Sequence, residues 1–305
     1  MKIKTNDTMR IVLALIFAIC LSPLYGQSKE IDKLQQTIEK ASRGESSYQS
    51  DLVDYYYNTA KNYSEAIKWC NILIANQNAK DNNKEYANRI LGYCAFKGTG
   101  MEKSIDNAIT YWKRGVEYKG GACALSLARV YASQLKDSIE SIKWYKHAAD
   151  LENKTAAYYL AQLYENGFVL TSNNIKIYYP NVGKDISQAS KYYDIYIKNM
   201  GYNWSGVSTN SRLLYKLARW HYSGEGSLVK NYSRAFELLN SAVESNENSK
   251  EEYKLSSEEE GDALWCISVC YRFGRGVEKD ELIARRYVKR AAEKGNENAI
   301  SLLKE

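Results

Sequence analysis

A chain of 305 residues with 45 % hydrophobic content and only two prolines, Pro23 and Pro180, holds enough apolar matter for a continuous core and little that would interrupt a helix. The formal charge is +6, of which residues 1–26 supply +2, and the remaining +4 is too mild for a nucleic-acid-binding surface. Two histidines, no His-Glu-x-x-His and no Cys-x-x-Cys leave the common zinc motifs without a basis, so no metal or other cofactor is expected.

Lys2, Lys4 and Arg10 precede an uninterrupted apolar run of eleven residues, Ile11 to Leu21, and Gly26 places a small residue at a cleavage position. Eleven residues fall short of the roughly 20 that a membrane-spanning helix needs. Residues 1–26 therefore read as an export signal. The mature chain is expected to be periplasmic or extracellular, without a transmembrane segment. Lipidation at Cys20 is the alternative, disfavoured by Ile19 where a lipobox wants a small residue. Residues 27–47 form an N-terminal lead-in segment.

From residue 48 onward one pattern recurs six times. A capping residue is followed four positions later by a small side chain and seven positions later by a large one: Asn62/Ala66/Trp69, Ser104/Ala108/Tyr111, Asp137/Ser141/Trp144, Asp185/Ala189/Tyr192, Asn231/Ala235/Leu238 and Asp280/Ala284/Tyr287. Each marks the start of a helix, with the small and large residues on one face. Upstream of each copy lies a stripe spaced i, i+4, i+8: Leu52/Tyr56, Ala87/Leu91/Ala95, Cys123/Leu127/Tyr131, Ala156/Leu160/Tyr164, Leu213/Leu217/His221 and Ala263/Ile267/Tyr271. Gly98/Gly100, Gly224/Gly226 and Gly274/Gly276 supply the positive φ that ends the first helix and reverses the chain. The unit is helix, tight turn, helix, and six copies make a repeat protein. Ala299 and Leu303 repeat the spacing once more and read as the start of a terminal capping helix.

Two stretches depart from the pattern. Between Gly167 and Lys184 the turn is expanded, with alternation at Ile175, Ile177 and Tyr179 that predicts a short extended segment or hairpin, and Gly201 to Gly206 adds a second loop. Tyr178, Tyr179, Tyr202 and Trp204 are the candidate binding residues there, as interface anchors or sugar-stacking platforms; folding back over a widened groove is the alternative. Glu244 to Asp262 carries eight acidic residues against Lys250 and Lys254 and reads as an acidic, solvated loop.

Ala263, Ile267, Tyr271, Gly274, Gly276, Val277, Asp280, Ala284, Tyr287, Ala291, Ala292 and Gly295 together resemble a nearly complete Sel-1-like repeat, a relative of the tetratricopeptide repeats. The resemblance extends over roughly residues 48–305. It implies an all-α fold, an α/α solenoid (superhelix) of about six helix-turn-helix repeats. Residues 121–151 lack the Gly-x-Gly turn, and His221 stands where the family prefers an aromatic. A cysteine-rich branch of the family staples each repeat with its own cysteine pair. Cys70, Cys94, Cys123, Cys266 and Cys270 do not follow that pattern and read as small buried hydrophobes, with single disulfides at Cys94/Cys123 and Cys266/Cys270 as the alternative.

Catalytic chemistry finds little support. Some members of the cysteine-rich branch are associated with β-lactamase activity, yet the Ser-x-x-Lys pairs Ser133/Lys136 and Ser227/Lys230 fall in turns without an accompanying Lys-Thr-Gly. His147 and His221 sit on helices and read as structural. The function expected is an exported, non-catalytic scaffold binding a protein or peptide partner on the solenoid surface. A glycan or peptidoglycan-associated module using the aromatic insertion ranks second, a β-lactamase-like hydrolase third.

Overall fold

A computed structural model describes residues 27–167, 169–172, 175–199 and 210–305. Residues 1–26, expected to be an export signal and including Cys20, and Tyr202 and Trp204, lie outside the described residues. The chain forms two compact units, the first ending at Asn153 and the second beginning at Lys154.

The first unit holds α1 (Gln27–Ser42), α2 (Ser46–Asp54) with a π-helical extension over Tyr55–Thr59, α3 (Tyr63–Ala75), α4 (Asp81–Lys97), α5 (Ile105–Glu117), α6 (Gly121–Ser133) and α7 (Ser138–Asp150). The second holds α8 (Lys154–Asn166), the antiparallel hairpin β1 (Val169–Ser172) and β2 (Ile175–Tyr178), α9 (Ile186–Asn199), α10 (Ser211–Ser223), α11 (Tyr232–Ser245), a 3-10 turn (Glu251–Tyr253), α12 (Ser257–Phe273), α13 (Glu281–Glu293) and α14 (Glu297–Leu302). Successive helices pack as antiparallel pairs, α4 on α5 and α6 on α7 in the first unit, α8 on α9, α10 on α11 and α12 on α13 in the second. This is an all-α solenoid of helix-turn-helix repeats, with the hairpin as its one two-stranded addition among the described residues.

All six expected caps form. Asn62, Ser104, Asp137, Asp185, Asn231 and Asp280 each accept, through a side-chain oxygen, the backbone N–H three residues on, at 2.9–3.2 Å. The small residue four positions after each cap is buried, and so are Leu127, Leu160, Leu217 and Ile267 of the first-helix stripes. A further buried column lies one residue beyond the large residue of each set: Cys70, Trp112, Tyr145, Tyr193, Leu239 and Val288. It continues the i, i+4, i+8 face, while Tyr111, Trp144 and Tyr287 stay half-buried at the edge.

The capping residue has a second job. Its own N–H donates to the carbonyl at the end of the preceding helix, Ser104 to Ala95, Asp137 to Tyr131, Asp185 to Tyr164, Asn231 to His221 and Asp280 to Tyr271, at 2.8–2.9 Å. The bond spans connections of very different length, so the hairpin inserted after α8 leaves the base of its repeat unaltered. The first glycine of each Gly-x-Gly turn is a left-handed helix C-cap. The second also makes room for a neighbour: a Cβ on Gly276 would lie 2.3 Å from the Tyr232 carbonyl, and one on Gly100 2.8 Å from Tyr63 Cβ. Where the Gly-x-Gly is missing, Lys136 adopts φ +57° immediately before its cap.

The ends differ from a bare repeat. The lead-in is helical, with Ile38 and Ala41 of α1 buried in the first core cluster. The acidic stretch is a loop only in part. From Ser257 it is the first turn of α12, opened by a reciprocal Ser256–Glu259 capping box, and Glu258, Glu259 and Glu260 stand there against the positive end of the helix. At the C-terminus α14 buries Ala299 against Leu264, Val288 and Ala291, while Leu303 remains exposed.

Candidate functional site

The second unit contains a groove of about 880 Å³ running across three consecutive second helices. Residues Arg234 to Glu244 of α11 form its floor, Asp194, Ile197 and Lys198 of α9 one side, and Tyr271 of α12 with Tyr287 of α13 the other. Its position follows from a change in the repeat. In the flanking repeats the aromatic ending the first-helix stripe stacks on an aromatic of the second helix, Tyr164 on Tyr192 with ring centroids 5.8 Å apart and Tyr271 on Tyr287 at the same distance. In the repeat between them those slots hold His221 and Leu238. The smaller pair fills less space, and Phe236 turns edge-on to Tyr271 at 5.3 Å.

Charge in the groove is organised around Arg234, whose Nη2 donates to Asp194 Oδ1 at 2.6 Å and whose Nη1 donates to Glu237 Oε2 at 3.2 Å. Glu237 and Glu244 are exposed, and Tyr287 donates to Asn240 Oδ1 at 3.5 Å. Behind the groove His221 is buried with Nε2 at 3.0 Å from Ser190 Oγ. Burial lowers its pKa from the ordinary value; Asp194 opposes the shift and Arg234 reinforces it. The wall therefore offers apolar contact from Ile197 and Leu238, two tyrosine rings and a bound arginine flanked by carboxylates.

Sequence reasoning located its binding residues elsewhere. Tyr178 is 62 % exposed at the end of β2, whereas Tyr179 is 0 % exposed and belongs to the core of the second unit. Neither lines the groove. The sequence did carry a signal for it, the histidine in an aromatic slot, but whether the vacated space is open or filled depends on the neighbouring helices.

The other chemistry-bearing residues are structural in surroundings. Ser133 donates to the Arg129 carbonyl at 2.8 Å and Ser227 to Asp185 Oδ1 at 3.2 Å, each bonding at a helix end. The five cysteines among the described residues are free thiols, and four of them are buried. Burial pushes the Cys266 thiol up to about 11 and the Cys270 thiol up to about 12, so neither is a ready nucleophile at neutral pH. Among the described residues no cluster of His, Cys, Asp and Glu could hold a metal ion, and no helix is long and apolar enough to cross a membrane.

Stacked helix-turn-helix units, capped and clamped alike, define a helical-repeat protein of the tetratricopeptide-like kind. The Sel1 repeat model matches residues 56–75, 86–117, 126–153, 154–176, 211–247 and 262–296, more than half of the chain, and the chain belongs to the Sel1 repeat family. It is 24 % identical over 202 residues to an uncharacterized Sel1-like repeat-containing protein of Schizosaccharomyces pombe, a match covering 65 % of this chain and 27 % of that protein. Among solved structures it is similar to a protective antigen of uropathogenic Escherichia coli displaying an SLR fold (20 % identity, TM-score 0.45, 87 % of this chain and 50 % of that one). It is also similar to a Sel1 repeat protein of Oxalobacter formigenes (20 % identity, TM-score 0.40, 84 % and 86 %). The chain thus spans about a quarter of the curated relative and half of the first of these structures.

Proposed function

We propose that this chain is an exported, non-catalytic scaffold that binds a protein or peptide partner on its solenoid surface, with the groove over α11 as the principal contact. The observation that carries the reading is the groove itself: about 880 Å³ of open space, floored by a repeat whose aromatic pair is replaced by His221 and Leu238. Rigid tyrosine rings at its edge give contact area at little entropic loss, and the charged groups around Arg234 give orientation. The exposed Tyr178 of the insertion, with Tyr202 and Trp204, is proposed as a second contact region.

Crosslinking and affinity purification from native envelope material test this. One stoichiometric partner is expected with the wild-type chain and is expected to be lost with Glu237→Lys and Tyr287→Ala, while Tyr178→Ala reports on the insertion. A chain that enriches nothing, or a partner retained by both groove variants, contradicts the reading. Export is tested separately by the intact mass of the mature protein, expected to begin at Gln27.

A further inference from the structure

The second unit contains a second cavity, of about 340 Å³, whose lining differs from that of the groove. Its walls are α8, the start of α10 at its cap Asn210, and the 3-10 turn on the connector between α11 and α12. That connector, residues 246–256, brings Tyr253 to Tyr158 of α8. The volume falls within the range of about 300–1,000 Å³ found for small-ligand sites.

The two cations of this cavity are already paired, and Glu252 is the one described lining carboxylate outside an ion pair. Lys216 Nζ lies 2.8 Å from both carboxylate oxygens of Glu165, which also accepts from the Tyr193 hydroxyl at 2.5 Å. Arg212 donates to Glu259 Oε2 at 3.3 Å. No uncompensated cation remains among the described lining residues to select an anion. Besides Glu252, what is left is amide and aromatic. Gln162 donates to the Tyr158 hydroxyl, Asn166 to the Gln162 carbonyl, and Asn210 accepts from Leu213 N–H. Each amide thus uses one end within the protein and keeps the other for a ligand. The Tyr158 ring is fixed by Tyr196 at 4.9 Å and Tyr193 at 6.1 Å, and Tyr253 is 37 % exposed beside it.

We propose that this cavity binds a neutral pyranose sugar. The apolar C–H face of the ring packs on Tyr253 and Tyr158, and its hydroxyls bond to the free ends of Gln162, Asn166 and Asn210. An aliphatic ligand would leave those amides unpaired, and an anionic one would have to break the Lys216–Glu165 or Arg212–Glu259 pair. The site does not depend on the partner groove.

The full chain is titrated by calorimetry with chitobiose, cellobiose and maltose, and with N-acetylneuraminate and glycylglycine as anionic and zwitterionic comparators. Saturable binding of at least one neutral disaccharide is expected, weakened about tenfold by Tyr253→Ala and by Asn166→Ala, both surface positions, and unchanged in Glu237→Lys. The circular dichroism spectrum reports whether each variant is folded. Three results overturn the proposal: no saturable signal up to about 10 mM, binding confined to the charged comparators, or neutral-sugar binding indifferent to both substitutions.

Discussion

At Gly276 the backbone φ is +75° and a Cβ would lie 2.3 Å from the Tyr232 carbonyl carbon and oxygen, whereas at Gly274, with φ +66°, nothing would come nearer than 3.7 Å. The two positions separate conformational strain from steric conflict. Gly274→Ala is expected to cost about 1–2 kcal/mol, the left-handed penalty alone, and Gly276→Ala clearly more, because backbone of the preceding repeat must move. Urea unfolding midpoints of the two variants check the order. His221 makes a second prediction at the level of a single side chain. Its folded pKa is depressed by burial below the ordinary 6.5, so on acidification the unfolded chain takes up a proton that the folded chain refuses. Stability is therefore full above about pH 6.5 and falls as pH drops from there toward the folded pKa. The neighbours that bear on the ring are Ser190 and Asp194 of α9 and Arg234 of α11. In His221→Asn this part of the pH dependence is expected to vanish, measured as the change in unfolding midpoint between about pH 7.5 and 5.5.

Among the helices, α5, α7, α9, α11 and α13 are each tied at their start by two bonds from one residue, side-chain oxygen inward and backbone N–H across to the preceding helix. Asp280→Ala removes the first and keeps the second. A loss of about 0.5–2 kcal/mol is expected, with hydrogen exchange quickened in the first turn of α13. The caps were legible because they depend on local geometry: Asp, Asn or Ser at one position and an N–H three residues on. The backbone clamp was not, since the side chains at its two ends carry no mark of it. The hairpin was visible as alternation at Ile175 and Ile177, but the sequence did not tell why an insertion of this length is tolerated; the Asp185–Tyr164 clamp supplies the reason. The acidic stretch was misread over its second half because charge density alone resembles a solvated loop. The Ser256–Glu259 capping box turns the same charges into a helix start.

Over the chain as a whole, a row of repeats has stability distributed between neighbours and not concentrated in one core. Leu127→Ala in α6 and Ile267→Ala in α12, both fully buried, are expected to cost about 2–5 kcal/mol each. Native-state hydrogen exchange should show protection lost mainly in the mutated repeat and its immediate neighbours; uniform loss along the chain would contradict a quasi-one-dimensional architecture. The same logic governs the end of the second unit, where α14 covers Leu264, Val288 and Ala291. The repeat, its period, its caps and its turns could all be read from the order of residues, because they rest on bonds within a few positions and on spacings that place side chains on one helical face. Where the surface opens could not. A groove beside His221 and Leu238, and a cavity between α8, α10 and a distant connector, arise from side chains up to several tens of residues apart, whose meeting depends on how whole helices pack.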